Sequence, residues 1–202
     1  MKLFLGFYNR SVILTYLGAI ASVSGMALAM LGNMKFAVLC LVFAGVADLF
    51  DGTVARLCKR TDEEKEFGIQ IDSLADMVSF ALFPVVISFA LGNTAWYHFL
   101  ISSLYVLAAI TRLGYFNTVT AGEGNVKYYT GLPVTFASLI VVTAYLVGRI
   151  FGITKIIIPI CLLITALLFV LNIKIAKPRG TLAYALLGLL AIAMGVAVAI
   201  IG

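Results

Sequence analysis

An all-α, polytopic transmembrane helix bundle follows from three features of this chain of 202 residues. Seven apolar stretches run through it, each of about 20 residues, the length that crosses a bilayer as a helix. Its composition is 63% hydrophobic and 11% charged, with mean hydropathy +1.12, more apolar than a water-soluble domain of this size sustains. The alternating segments of about 10 residues that mark a membrane barrel are absent. No linker or internal repeat interrupts the pattern, so residues 1–202 read as a single membrane domain.

The opening MKLFLGFYNR sets Lys2 and Arg10 around apolar residues, which predicts a short N-terminal helix lying in the membrane interface. Spans are then expected at 11–31, 34–57, 66–91, 94–117, 131–150, 154–173 and 180–201, with six to eight allowed by the reading of the C-terminal end. The first span is too long for a signal-peptide core and no small-residue cleavage pattern follows it, so it is expected to stay. Gly18, Ser22 and Gly25 supply small residues at helix-packing spacing within that span. Pro84 should bend the third span or end its first half. Residues 58–65, CKRTDEEK, form a charged turn, and residues 118–130 form a long polar loop.

The formal net charge of +5 sits in the connections between spans, as membrane topology requires, and gives no support to a nucleic-acid partner. With a cytoplasmic N-terminus, Lys2, Arg10, Arg56, Lys59, Arg60, Lys65, Arg112, Lys127, Lys174, Lys177 and Arg179 fall on the cytoplasmic side. Lys35, Arg149 and Lys155 fall on the other, and the asymmetry orients the chain. Cys40, Cys58 and Cys161 are isolated and read as packing residues. His98 follows Trp96 and Tyr97 in an expected aromatic belt.

Against this apolar background the stretch DLFDGTVARLCKRTDEEKEFGIQIDSLAD stands out, because it puts four aspartates, Asp48, Asp51, Asp72 and Asp76, into membrane-grade sequence on either side of its charged turn. Each costs on the order of 3 kcal/mol to insert at the middle of a span, so partners are needed. On a helix, Asp48, Asp51, Gly52, Ala55 and Arg56 share an arc of roughly 140°. Gly68, Asp72, Ala75, Asp76 and Ser79 share a face of the next span, and the short turn between the two favours antiparallel packing of the carboxylate faces. Carboxylates at i,i+3 and i,i+4 lie about 5 to 6 Å apart and repel unless neutralised. Oxygen-only ligands select hard cations, magnesium, manganese or calcium, and a pair of ions about 3.5 to 4 Å apart can clamp a phosphoryl group. Gly52 and Ala55 leave room for a bulky substrate such as a nucleotide. The alternatives are buried ion pairs with Arg56 or Lys59, or the carboxylate pathway of a cation-coupled transporter.

These residues, Asp48xxAsp51Gly52xxAla55Arg56 followed by Gly68xxxAsp72xxxAsp76, resemble the signature of the CDP-alcohol phosphatidyltransferases. The spacer of eleven residues between Arg56 and Gly68 is longer than the family pattern. DSLADMVSF at 72–80, RLGYFN at 112–117 and YYTGLP at 128–133 resemble the phosphatidylserine-forming branch of that family, and the likeness runs from about residue 9 to 135. The resemblance implies a homodimeric membrane enzyme that uses two divalent cations, magnesium or manganese, with calcium as a further occupant. It would move a phosphatidyl group from CDP-diacylglycerol, or an ether-lipid equivalent, to L-serine and release CMP. The same chemistry with glycerol phosphate or inositol phosphate as acceptor is the alternative within the family.

The resemblance and the face count together assign Asp48, Asp51, Asp72 and Asp76 as metal ligands, with Asp76 also the candidate base. Gly52, Ala55, Arg56 and Gly68 are assigned to the CDP-lipid, although Arg56 at a helix end also suits a snorkelling role. Arg112 is the natural bidentate partner for a serine carboxylate, with Asn117, Tyr128 and Tyr129 nearby. The alternative for Arg112 is an interfacial anchor, and for the tyrosines packing or belt positions.

Overall fold

A computed structural model describes residues 6–120, 128–176 and 180–202. Among these, a single 3₁₀ turn at Arg10–Val12 leads into α1 (Ile13–Met30), which is followed by α2 (Met34–Leu57). The third pass is continuous but composite: α3 (Asp62–Asp76), a π-helical turn (Met77–Leu82) and α4 (Phe83–Ala90). Then come α5 (Trp96–Thr120), α6 (Phe136–Phe151), α7 (Thr154–Val170) and α8 (Gly180–Ile201). The architecture is an all-α bundle of seven passes, five long enough and apolar enough to cross a membrane and two shorter, α6 and α7. Each expected span coincides with an apolar helix, although α6 and α7 are shorter than the other five.

Two local expectations are corrected. Residues 1–5, with Lys2, lie outside the described residues, and Gly6–Asn9 form no helix. Gly6 takes φ +122°, a conformation that breaks a helix and that only glycine adopts without strain. Phe7 and Tyr8 instead stand edge-on to the ring of Phe67 on α3, with centroids 6.0 and 6.3 Å away. The second correction concerns the connections that flank α6 and α7, where two short strands form. β1 (Tyr128–Thr130) pairs antiparallel with β2 (Lys174–Ala176), Tyr129 opposite Ile175. Gly131 closes this ladder at φ +78°, its N–H donating to the Ile173 carbonyl at 2.7 Å. A Cβ there would meet the Phe169 carbonyl oxygen at 2.8 Å, so no larger residue fits.

Helices in lipid gain little from hiding apolar surface from one another, so close approach and dispersion must hold the bundle. α2 is the hub, packing against α1, α6 and α8. The small residues Gly18, Ser22 and Gly25 on α1 are buried. Gly18 sits against Ala47, and a side chain at Gly25 would run into Phe83 and Cys40. Their stripe is therefore spent on internal contacts. Leu41, Phe80, Phe83, Tyr105, Tyr145 and Phe169 complete a dry core. Cys40, Cys58 and Cys161 are free thiols.

Pro84 acts through the turn before it. Lacking an N–H, it cannot pair with the carbonyl of Phe80 as an α-helix would require. The backbone widens into the π turn, Phe83 N–H reaching back to the Val78 carbonyl, and the Tyr105 hydroxyl on α5 donates to the Phe80 carbonyl. The irregularity begins immediately after Asp76, so it separates the acidic helix α3 from the apolar helix α4.

Candidate active site between α2 and α3

The acidic helix α3 starts early, at Asp62 rather than near residue 66, because its sequence supplies a complete start signal. Thr61 and Glu64 form a capping box: Glu64 N–H donates to Thr61 Oγ1 at 3.3 Å, and Thr61 N–H donates to Glu64 Oε2 at 2.9 Å. Asp62, Glu63 and Glu64 in the first turn suit the positive end of the helix dipole. Asn9 Nδ2 donates to Glu64 Oε2 and to the Lys59 carbonyl, both at 3.0 Å, which ties the N-terminal segment across the turn. The long spacer between Arg56 and Gly68 is thus absorbed by residues 58–61 and the opening turns of α3.

All four aspartates converge. Carboxylate oxygens of Asp48, Asp72 and Asp76 lie within 4.8 Å of one another. Asp51, 9% exposed, faces Asp72 and accepts a hydrogen bond from Thr15 Oγ1 at 2.9 Å. Asp48 faces Asp76 and the side chain of Thr135. None of the four pairs with a lysine or arginine among the described residues, which removes the ion-pair alternative. One oxygen of Asp72 is buried without any hydrogen-bond partner. A cluster of partly buried acids that repel one another, with an oxygen left unmatched, offers the hard oxygen donors that suit a divalent cation. The three-aspartate cluster is fit to hold such an ion.

Two cavities open on either side of the cluster and share Asp51, Gly52 and Asp72 as their common wall. The larger, about 350 Å³, adds Asp48, Asp76, Arg56, Arg112, Phe116, Thr135 and Tyr184. The smaller, about 180 Å³, is lined by Ser11, Thr15, Ala55, Arg60 and Gly68 among others. A Cβ at Gly52 would meet nothing within 4 Å, so the missing side chain is open cavity space rather than a packing necessity. Arg56 is exposed and donates to Thr53 Oγ1 at 3.1 Å while still lining the large cavity.

Arg112, 5% exposed, is held on that cavity wall by donating through Nε to the Leu132 carbonyl at 3.0 Å, with its guanidinium 5.5 Å from the Phe116 ring centroid. Asn117 goes elsewhere: it exchanges hydrogen bonds with Ser73 Oγ, tying α5 to α3 beside Asp72, and is not among the residues lining either cavity. The Tyr128 and Tyr129 side chains lie outside the described residues, as does Lys127. Sequence reasoning missed Thr15, Phe116, Thr135 and Tyr184. Thr135 lies two residues beyond the YYTGLP patch, whereas Tyr184 comes from the last helix, where no motif pointed to it.

A family model described as CDP-alcohol phosphatidyltransferase matches residues 8–171. The chain belongs to the CDP-alcohol phosphatidyltransferase family. Among relatives of this family member, a CDP-diacylglycerol–serine O-phosphatidyltransferase of Saccharomyces cerevisiae is 40% identical over 50% of this chain and 38% of its own length. An archaetidylserine synthase of Methanothermobacter thermautotrophicus is 32% identical over 67% of this chain and 57% of its own length. A CDP-diacylglycerol–serine O-phosphatidyltransferase of Helicobacter pylori is 34% identical over 58% and 49% respectively. This phosphatidyltransferase-family chain therefore spans about half the length of the relatives it matches.

Proposed function

We propose that this chain transfers a phosphatidyl group from a CDP-linked lipid to the hydroxyl of L-serine, giving phosphatidylserine, or its ether-lipid counterpart, and CMP. The observation that carries the reading is the single acidic wall shared by two cavities, which offers a nucleotide side and an acceptor side to one diphosphate. The names of the relatives favour serine over other alcohols. The excess of lysine and arginine at the α2–α3 end favours a cytoplasmic site.

In this reading Asp48, Asp51, Asp72 and Asp76 hold two magnesium or manganese ions, which when bound neutralise the diphosphate and stabilise charge on the departing CMP. Gly52, Ala55 and Gly68 leave the smaller cavity open to the cytidine nucleotide, with Arg56 beside the phosphates. Arg112, desolvated and pre-oriented by Leu132 and Phe116, pairs with the serine carboxylate and presents the hydroxyl to the lipid-side phosphorus. The serine oxygen forms the new P–O bond, the bond to the bridging oxygen breaks, and CMP leaves with that electron pair. Asp76 accepts the hydroxyl proton. The enzyme acts as a homodimer in this proposal.

The test uses purified protein with manganese or magnesium, diacyl and ether-linked CDP-lipids, and serine, glycerol phosphate and inositol phosphate as acceptors. CMP release with serine is the expected outcome. Release only with another acceptor moves the specificity, and release with none favours transport. Asp76→Asn, assayed beside a manganese-binding control, examines the proton acceptor: turnover retained with intact metal binding removes Asp76 from that role.

A further inference from the structure

Threonines inside helices usually spend their hydroxyl locally, on the carbonyl four residues back. This chain does so at Thr111, Thr118 and Thr143, which donate to the carbonyls of Leu107, Gly114 and Leu139. Thr15 on α1 breaks the habit, sending its hydroxyl across to Asp51 Oδ2 on α2 at 2.9 Å. Thr135 breaks a second one. It occupies the N-cap of α6, where a threonine ordinarily accepts a hydrogen bond from the first turn, yet its side chain makes no cap bond and instead shares the wall of the larger cavity with Asp48. Asp51 is therefore held from outside by the Thr15 hydroxyl of α1, and Asp48 is faced by the Thr135 side chain at the start of α6. Thr15 lies on the wall of the smaller cavity and Thr135 on the wall of the larger.

We infer that Thr15 and Thr135 are positioning residues that hold Asp51 and Asp48 in the orientation needed to take up divalent cations. A hydroxyl donor occupies one lone pair of a carboxylate, stops its rotation and leaves the remaining pairs aimed into the cluster. Without the donor, the carboxylate turns freely toward or away from its acidic neighbours, so the cluster loses preorganisation while its charge stays the same. The inference rests on the reading of the aspartates as metal ligands.

The experiment titrates manganese into purified full-length protein without lipid or serine, following free manganese by electron paramagnetic resonance, alongside thermal unfolding without metal. Thr15→Val and Thr135→Val preserve shape and remove the donor, whereas Thr15→Ser and Thr135→Ser retain it. The valine variants are expected to bind manganese about 10-fold or more weakly, the usual cost of losing an outer-shell partner, while still unfolding cooperatively without metal. The serine variants are expected to bind as the parent does. Parent-like affinity in the valine variants, or serine variants as weak as the valine ones, overturns the inference. If a valine variant does not fold, Thr→Ala against Thr→Ser at that position decides by the same criterion. Failure of the parent to bind manganese overturns both this inference and the metal reading of the site, whereas parent binding with undiminished valine variants overturns this one alone.

Discussion

The hydroxyl of Tyr105 on α5 donates to the carbonyl of Phe80, the backbone acceptor that Pro84 leaves unmatched in the third pass. Both residues are buried in an apolar interior, so an orphaned carbonyl there has no water to turn to. Tyr105→Phe is expected to destabilise the fold by about 1 to 3 kcal/mol, the cost of leaving a buried acceptor unpaired. Thermal unfolding in detergent checks this, and because the π turn abuts Asp76, manganese affinity should fall in parallel.

Gly52 and Gly25 separate ligand space from packing space. A methyl group at Gly52 points into the open cavity and replaces a poor helix former with the best one, so Gly52→Ala should stabilise the protein by up to about 1 kcal/mol. The same methyl should raise the apparent KM for the CDP-lipid, because it intrudes where the substrate approaches α2. At Gly25 the added atom collides with Phe83 and Cys40, and Gly25→Ala should cost about 1 to 3 kcal/mol of stability instead. Unfolding temperatures and KM measured side by side will show the opposite signs.

Four carboxylates gathered without a cation repel, so the site is expected to trade stability for metal binding. Asp72→Asn should raise the metal-free unfolding temperature while lowering manganese affinity and abolishing CMP release. Chelation of the parent protein should silence turnover, and added manganese or magnesium should restore it. A variant that loses stability without metal speaks against a repulsive cluster.

Arg112 is expected to act on the acceptor alone. Its fork is already fixed by Leu132 and Phe116, so Arg112→Lys should not restore what Arg112→Ala removes. Loss of a charge-assisted pair corresponds to about 1.5 to 3 kcal/mol, a rise in the apparent KM for serine of at least about 10-fold with the KM for CDP-lipid unchanged. Steady-state kinetics with each substrate varied in turn measures the split.

Much of this was legible in the order of the residues. Helices that cross a bilayer must satisfy their own backbone and carry an apolar run, so each pass announces itself through local composition alone. The aspartate faces were equally readable, because helical periodicity maps spacing directly onto direction, and a short turn between two helices leaves little choice but to bring them together. The boundaries that sequence reasoning misplaced have local causes of another kind: a capping box that starts α3 at Asp62, and a glycine that keeps residues 6–9 out of a helix.

What remained hidden were relations between distant segments, which carry no periodicity. Nothing in the neighbourhood of Thr15 shows that it reaches a carboxylate on α2, nor in those of Thr135 and Tyr184 that they line the large cavity beside Asp48. The ladder joining Tyr128–Thr130 to Lys174–Ala176 is a pairing across two helices, and so is the exchange of hydrogen bonds between Asn117 on α5 and Ser73 on α3. Direction along one helix is a local property of the chain. Which side chain meets which across the bundle depends on how the helices pack, and that packing decided how the acidic wall is braced, where its two cavities open and which residues face them.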